Sequence, residues 1–211
     1  MGAAEPAKRS RLRLWLVVAV LAQLVAAGVL AGVSAVGWFD DAAPTPDPER
    51  TSDFAIDLPA GWVENLRWGQ RLVEQVDPAL IEALVYFAGL PGGAGSYDPT
   101  LSILREPLPS GAGLAEVAEA KLEEFRAGAP RADVTWRDGE VDGLPAVRVV
   151  VTDPPDLASG RSFVTVQLLV VRAGEAWALQ CEQQTPAAHA DAWDACGAAV
   201  EGFRFPQGHS P

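Results

Sequence analysis

The first long pattern along the chain is an apolar run without charge. From Leu14 to Phe39 no residue is charged, and Gln23 is the one strongly polar side chain. A helix needs about 20 apolar residues to cross the hydrocarbon core of a bilayer. Trp15 and Trp38 lie near the two ends, where indole rings favour the membrane interface. The pattern therefore predicts one transmembrane helix over residues 14–39.

Charges on either side of this run predict its orientation. Four basic residues precede it, namely Lys8, Arg9, Arg11 and Arg13, and Asp40-Asp41 follows it. Positive residues stay on the cytoplasmic side of a membrane. We therefore expect residues 1–13 to be a cytoplasmic basic tail and 14–39 to be a signal anchor. A cleaved signal peptide remains the alternative, with Val33-Ser34-Ala35 as its small-residue site.

Two further features accompany the apolar run. Gly28 and Gly32 form a GxxxG pair, which lets two membrane helices approach closely, so a homodimer is one hypothesis. Residues 40–53 hold three prolines and few apolar side chains, which is typical of an extended linker. The folded domain is expected to follow over residues 54–205, outside the cell membrane, with 206–211 as a tail.

The start of the domain is less regular. Residues 54–58 alternate apolar and polar side chains and predict a strand. Asp77-Pro78 favours a helix start, and the residues that follow up to 90 leave almost no polar face. Such a segment is either buried or contacts a partner. Its predicted contact residues, with one residue of the loop that follows, are Leu80, Leu84, Phe87 and Tyr97.

The rest of the domain has clearer periodicity. A strand is predicted over 100–106, and an amphipathic helix over 113–127 has Glu116, Glu119, Glu123 and Glu124 on its solvated side. Alternating segments around 132–136, 147–151, 164–170 and 177–181 predict a β-meander. The turn dipeptides are Asp138-Gly139, Asp142-Gly143 and Ala173-Gly174. A closing helix begins at Thr185-Pro186. The class is therefore α+β, an antiparallel sheet flanked by helices.

Two cysteines lie in the last strand and the closing helix. Cys181 points toward the core by strand alternation, and Cys196 lies on the buried side of the helix. Disulfides persist in oxidising compartments, and a bridge that closes a loop of about 15 residues stabilises by roughly 3 kcal/mol. We therefore predict a Cys181–Cys196 disulfide, with two buried thiols as the alternative.

Charge and motif content exclude several functions. The formal net charge is −12, and basic residues are concentrated before the apolar run, so the domain is acidic and repels nucleic acid. Its only histidines are His189, on the apolar side of the last helix, and His209, in the tail. Neither a G-x-S-x-G elbow nor an H-E-x-x-H or paired C-x-x-C motif occurs. We therefore predict no catalytic residue, cofactor or metal site, although carboxylates are plentiful.

The order of several short motifs resembles a known family. The motifs are "FAIDLPAGW" (54–62), "LSILRE" (101–106), the helix at 113–127, "VDGLPAVRV" (141–149) and the ending "EAWALQC…C…FRF". Together they resemble PsbP-like domains, in particular the extracytoplasmic actinobacterial branch of LpqN-type lipoproteins. The resemblance implies an α-β-α arrangement and a non-enzymatic binding or accessory role. This chain lacks a lipid-attachment cysteine, so the predicted helix 14–39 would take the place of the lipid.

The sequence thus predicts a membrane-anchored, extracytoplasmic binding domain without catalytic activity. Its partner would be a lipid, peptide or protein of the cell envelope. Two alternatives are a carboxylate-dependent hydrolase of envelope polymers and a purely structural subunit.

Overall fold

The computed structural model describes residues 53–76, 78–92, 97–155, 160–185 and 190–206. These residues form one antiparallel sheet of seven strands with helices on both faces. The elements are β1 (Val63–Glu64), α1 (Leu66–Val76), a 3₁₀ turn (Pro78–Leu80), β2 (Leu84–Pro91), β3 (Tyr97–Pro107), α2 (Leu114–Gly128), β4 (Asp133–Val141), β5 (Leu144–Thr152), β6 (Ser162–Arg172), β7 (Glu175–Thr185) and α3 (Ala190–Glu201).

The strands lie in the order β1-β2-β3-β7-β6-β5-β4, and every neighbouring pair is antiparallel. Two-residue turns join β4 to β5 and β6 to β7. Asp142 and Gly143 have φ of 51° and 76°, and Ala173 and Gly174 have φ of 52° and 78°. Positive φ at both central residues is the type I′ geometry, whose twist matches that of the flanking strands.

One face of the sheet, called here the α3 face, carries an aromatic core. α3 packs on β7 and β3, and the segments before β1 and after α3 lie beside it. The Phe54 ring stacks on that of Phe203 with centroids 5.5 Å apart, and Trp177 meets Phe205 edge-to-face at 5.2 Å. The "FRF" ending therefore packs in the core.

The opposite face is covered by two helices. α1 lies over β2, and α2 lies over β5 and β6. The apolar clusters beneath them are separate, and Ala178 of β7 touches both. Helices on both faces of an antiparallel sheet confirm the predicted α+β class and its α-β-α layering.

Several predicted elements are confirmed. The helix predicted over 113–127 is α2, the meander is β4 to β7, and the closing helix is α3. The predicted strand at 100–106 lies within β3.

Three local predictions are wrong. Residues 54–58 make no strand, because only an isolated bridge, from Ala55 to Arg204, pairs them. The dipeptide Asp138-Gly139 does not turn, because it lies inside β4. Glu124 is not on a solvated face, because it is buried beside Lys121.

The segment after Asp77-Pro78 is the largest correction. Only Pro78–Leu80 is helical, as a 3₁₀ turn, and Leu84–Pro91 is the strand β2. The lack of a polar face is explained because β2 is covered on both sides, by α1 and by the aromatic core. Periodicity alone does not separate a short buried strand from a buried helix.

Several predictions lie outside the described residues: the tail 1–13, the helix 14–39 with Gly28 and Gly32, cleavage at Ala35, residues 40–52 of the linker 40–53, His189, and residues 207–211 of the tail with His209. Among the residues that are described, no helix combines the length and the apolar character that crossing a bilayer requires.

Candidate functional site

The predicted contact residues do not form an exposed surface. Leu80, Leu84 and Phe87 have relative exposures of 0%, 2% and 4%, because α1 lies over them. Tyr97 is partly buried and its hydroxyl accepts a hydrogen bond from Asn65 Nδ2 at 2.8 Å. The alternative left open by the sequence, burial, is therefore the one that the structure shows for Leu80, Leu84 and Phe87, whereas contact of Tyr97 with a partner stays a prediction.

The predicted disulfide is present. The Cys181 and Cys196 sulfurs are bonded, with the two Cα atoms 6.1 Å apart and both residues buried. The bond fixes α3 to the central strand β7. Because α3 covers only the middle of its face, this attachment also sets the position of a groove beside the helix.

This groove lies on the α3 face, between α3 and the strands β4, β5 and β6. Its volume is about 240 Å³. The strands contribute Arg137, Asp138, Gly139, Glu140, Arg148, Val166, Leu168 and Cys181, and α3 contributes Gly197, Val200 and Glu201. We call this the arginine groove.

The two arginines lie directly opposite each other on neighbouring strands. Arg137 of β4 is paired in register with Arg148 of β5. Val134 packs beneath α2 on the far face. Strand alternation therefore turns the Arg137 side chain toward the groove, whereas Asp138 and Glu140 line the groove from positions whose side chains project from the other face of β4.

Neither arginine forms an ion pair within 4 Å among the described residues, whereas Arg105 and Arg204 do. Burial lowers the pKa of Arg148, and repulsion from Arg137 lowers it further, while Glu201 opposes both effects. Like charges placed opposite each other on a sheet are unfavourable. The guanidinium groups of Arg137 and Arg148 therefore lie close together in a groove whose lining also contains three acidic residues, Asp138, Glu140 and Glu201.

The lining of the groove combines arginine, acidic and apolar residues. Its described residues include no histidine, no hydroxyl group and no free thiol, since Cys181 is in the disulfide. An apolar floor of Val166 and Leu168 lies beside guanidinium groups, which donate hydrogen bonds to carboxylate, sulfate or phosphate oxygens.

A second polar region is buried on the opposite face, along β7. Gln167 Nε2 donates to Gln180 Oε1 at 3.1 Å, and Gln180 Nε2 donates to Glu182 Oε2 at 3.3 Å. Gln167 Oε1 accepts no hydrogen bond from any residue that the structure describes. Burial raises the pKa of Glu182 to about 8, repulsion from Asp153 and Asp98 adds to this, and the Gln180 hydrogen bond opposes it.

Asp153 resembles Glu182 in that burial raises its pKa too. Interacting carboxylates with raised pKa values are a feature of acid–base catalysis. However, neither the arginine groove nor the small cavity beside Lys121 includes Glu182 or Asp153. The pair thus has part of the chemistry of a hydrolase and lies outside both of these cavities.

A third polar cluster joins α2 to β3. Lys121 Nζ donates to Glu124 Oε2 at 2.9 Å, with both side chains almost fully buried. Burial raises the pKa of nearby Glu106, Lys121 lowers it, and Glu124 raises it. The adjoining cavity is about 20 Å³, which is room for a single water molecule. The cluster is therefore structural.

Metal binding finds no support in the described part of the chain, where no group of three histidine, cysteine or acidic residues could hold an ion. The periodicity of the sequence does not indicate the arginine groove. A signal for it existed: a two-residue turn at Asp142-Gly143 alone places Arg137 opposite Arg148.

Comparison with known proteins yields structural relatives only. No protein-family model matches the chain, and no curated protein matches it significantly in sequence. Similar solved structures include LpqN of Mycobacterium tuberculosis, described as involved in cell envelope biogenesis, at 14% identity and a TM-score of 0.50. That match covers 72% of this chain and 83% of LpqN.

Two further structures are more distant. PA94 of Pseudomonas aeruginosa, a putative regulator of unknown function, has a TM-score of 0.47 and 18% identity over 58% of this chain and 83% of its own. Cyanobacterial PsbP (CyanoP) of Synechocystis has a TM-score of 0.45 and 12% identity over 82% and 99%. The likeness to LpqN confirms the fold that the resemblance implied, an α+β domain of the LpqN type.

Proposed function

We propose that this chain is a single-pass membrane protein that presents a non-enzymatic ligand-binding domain outside the cell membrane. The apolar run 14–39 would anchor it with residues 1–13 in the cytoplasm. The Cys181–Cys196 disulfide supports an oxidising compartment. LpqN, which has the same fold, is described as acting in cell envelope biogenesis, and a role in the envelope is proposed here by analogy.

The arginine groove is the observation that carries this proposal. It combines a volume of about 240 Å³, two arginines without ion-pair partners in the described structure, and a lining whose described residues include no histidine, hydroxyl group or free thiol. Convergent polar groups over an apolar floor are typical of small-molecule binding sites. The ligand would be a component of the cell envelope.

Topology is tested by protease treatment of intact cells that express the full-length chain. We expect the domain to be digested and the basic tail to be protected. A domain that resists protease in cells whose outer layers admit the enzyme would contradict the proposed location.

Ligand binding is tested by photo-crosslinking in the same cells. A diazirine-bearing amino acid at position 139 would lie in the groove, where a Cβ meets nothing closer than 3.7 Å. The matched control carries the probe at Ala127, an exposed residue of α2. We expect an adduct with an envelope component from position 139 only. Absence of any adduct, or equal labelling from Ala127, would contradict binding in the groove.

A hydrolase is the second candidate, and the raised pKa values of Glu182 and Asp153 favour it. It requires that Glu182→Gln and Asp153→Asn each abolish cleavage of purified envelope polymers by the full-length chain. No cleavage by the unchanged protein would exclude it.

A homodimer formed through Gly28 and Gly32 is a further proposal on partners. Replacing both glycines with isoleucine should abolish crosslinked dimers in membranes, because the larger side chains keep the helices apart. Dimers that persist in this variant would contradict the helix contact.

A further inference from the structure

We propose that the arginine groove binds the singly charged anionic headgroup of an amphiphile and the first carbons of its chain. This inference rests on the proposed ligand-binding function and specifies the chemistry of the ligand. It draws on the charges, the floor and the size of the groove.

Charge determines the headgroup. Arg137 and Arg148 face the groove from adjacent strands, and Glu201 faces it from α3. These side chains bring two positive charges and one negative charge to the α3 face, whereas Asp138 and Glu140, which also line the groove, lie at positions that strand alternation turns to the other face. A single anionic group between the two guanidinium groups would relieve their repulsion and accept hydrogen bonds from both.

The floor determines what is attached to that headgroup. Val166, Leu168 and Val200 line the groove below the arginines, and they are apolar. Burying a CH₂ group against such a surface is worth about 0.8 kcal/mol. A bare inorganic anion would leave this surface unused, whereas an alkyl chain would cover it.

Size limits how much of the amphiphile enters. The groove volume of about 240 Å³ exceeds the roughly 150 Å³ of a cavity that accepts benzene and falls below the roughly 300 Å³ at which drug-sized pockets begin. A headgroup and a few carbons fit. A longer chain would leave through the open side, where Arg137 is exposed.

The charge of the whole molecule favours a small ligand over a macromolecule. The net charge of −12 repels acidic peptides and nucleic acids at long range. A headgroup with a single charge is repelled less than a polyanion by this long-range field, and in the groove it meets the local field of the two arginines. An amphiphile is also available at a membrane surface, next to which the anchor would hold the domain.

The test uses the full-length chain in phosphatidylcholine nanodiscs and equilibrium dialysis of labelled hexyl sulfate, with empty nanodiscs as the blank. Hexyl sulfate carries one negative charge and six carbons. We expect saturable binding of one molecule per chain. Arg137→Gln and Arg148→Gln should each weaken it at least tenfold, and Glu201→Gln should strengthen it. The matched control Arg126→Gln, at an exposed position on α2, should leave it unchanged.

A second pair of variants blocks the groove without removing charge. A Cβ built on Gly197 meets nothing within 4 Å, so Gly197→Leu fills space in the groove while the fold is kept. We expect Gly197→Leu to abolish binding and Gly197→Ala to retain it. Folding of each variant is checked by its thermal unfolding.

Three related probes decide the chemistry. Hexanol, inorganic sulfate and an acidic hexapeptide should each bind at least tenfold more weakly than hexyl sulfate. Equal binding of hexanol would overturn the anionic headgroup, and equal binding of sulfate or of the peptide would overturn the amphiphile. Unchanged affinity in both arginine variants would overturn the site. Crosslinking from position 139 with no hexyl sulfate binding refutes this inference alone, whereas failure of both refutes the proposed function.

Discussion

Glu182 is an acid whose protonation state is set by its burial. Its pKa is about 8 in the folded chain against an ordinary 4.5, so between these pH values the native state holds a proton that the unfolded chain has lost. The free energy of unfolding therefore falls as pH rises from 4.5 to 8. Each unit of pKa shift corresponds to about 1.4 kcal/mol. Glu182→Gln should remove this loss and stabilise the protein by a few kcal/mol at pH 8.

The measurement is urea unfolding of the full-length chain from pH 5 to pH 9. The stability difference between Glu182→Gln and the unchanged protein should grow with pH. Glu119→Gln, at an exposed site on α2, serves as the matched control and should show no such growth. A pH-independent difference for Glu182→Gln would mean that this carboxyl does not titrate in that range.

Lys121 is the opposite case, because it is a buried cation. Removing it would leave the buried carboxyl groups of Glu124 and Glu106 without its positive charge. Its ammonium group lies 2.9 Å from Glu124 Oε2 and also lowers the pKa of Glu106. Removing one partner of a buried ion pair costs about 3–5 kcal/mol, whereas replacing both with apolar groups is often neutral. Lys121→Met should therefore destabilise strongly at pH 7, and Lys121→Met with Glu124→Leu should recover much of the loss. Equal urea midpoints for the single and double variants would contradict this coupling.

Helices α1 and α3 each contain a glycine at which alanine should have opposite effects. Alanine in a helix is favoured over glycine by about 0.5–1 kcal/mol. At Gly197 a Cβ meets nothing within 4 Å, so Gly197→Ala should stabilise by that amount. At Gly69 a Cβ would lie 2.6 Å from Phe87 Cβ and Cγ, so overpacking of about 1–3 kcal/mol should outweigh the gain. Thermal unfolding measures both signs. Stabilisation by Gly69→Ala would show that α1 and β2 can separate freely.

Helices and strands were predicted correctly where the periodicity of the sequence fitted only one type of secondary structure. In the sequence, α2 has helical periodicity and the meander strands alternate apolar and polar residues, and the existence of these elements was predicted from those patterns. β2 was not, because a strand covered on both faces has no alternation. The helix α1 was not predicted. Because α1 packs over Leu84 and Phe87, it determines that these two residues lie in the core and not on the surface. Their burial results from tertiary packing, which a local sequence pattern does not predict.

The candidate site depends on register, which is sensitive to one turn. Two dipeptides, Asp138-Gly139 and Asp142-Gly143, compete for the β4–β5 turn in the sequence. The structure uses the second, with Val141 paired to Leu144, so Arg137 falls opposite Arg148. A turn at the first would break β4 before Gly139 and separate the two arginines. The groove was therefore predictable only after that choice, and its α3 wall only after the packing of α3.

At the scale of the whole molecule, one covalent bond links the stability of the domain to the shape of its groove. The Cys181–Cys196 disulfide joins α3 to β7, and the next residue, Gly197, already lines the groove. A bridge of this sequence separation, 15 residues, stabilises by about 3 kcal/mol. Replacing both cysteines with alanine should lower the free energy of unfolding by about that amount.

The same double variant should also weaken hexyl sulfate binding, because α3 is then held to the sheet only by packing and the groove wall becomes less fixed. Gly197→Ala provides the comparison, since it changes the stability of α3 in the other direction and keeps the bond. Urea unfolding and dialysis on the same samples separate the two effects. Loss of stability with unchanged affinity would mean that packing of Val200 and Phe203 alone positions the wall, and that the disulfide serves the fold without serving the site.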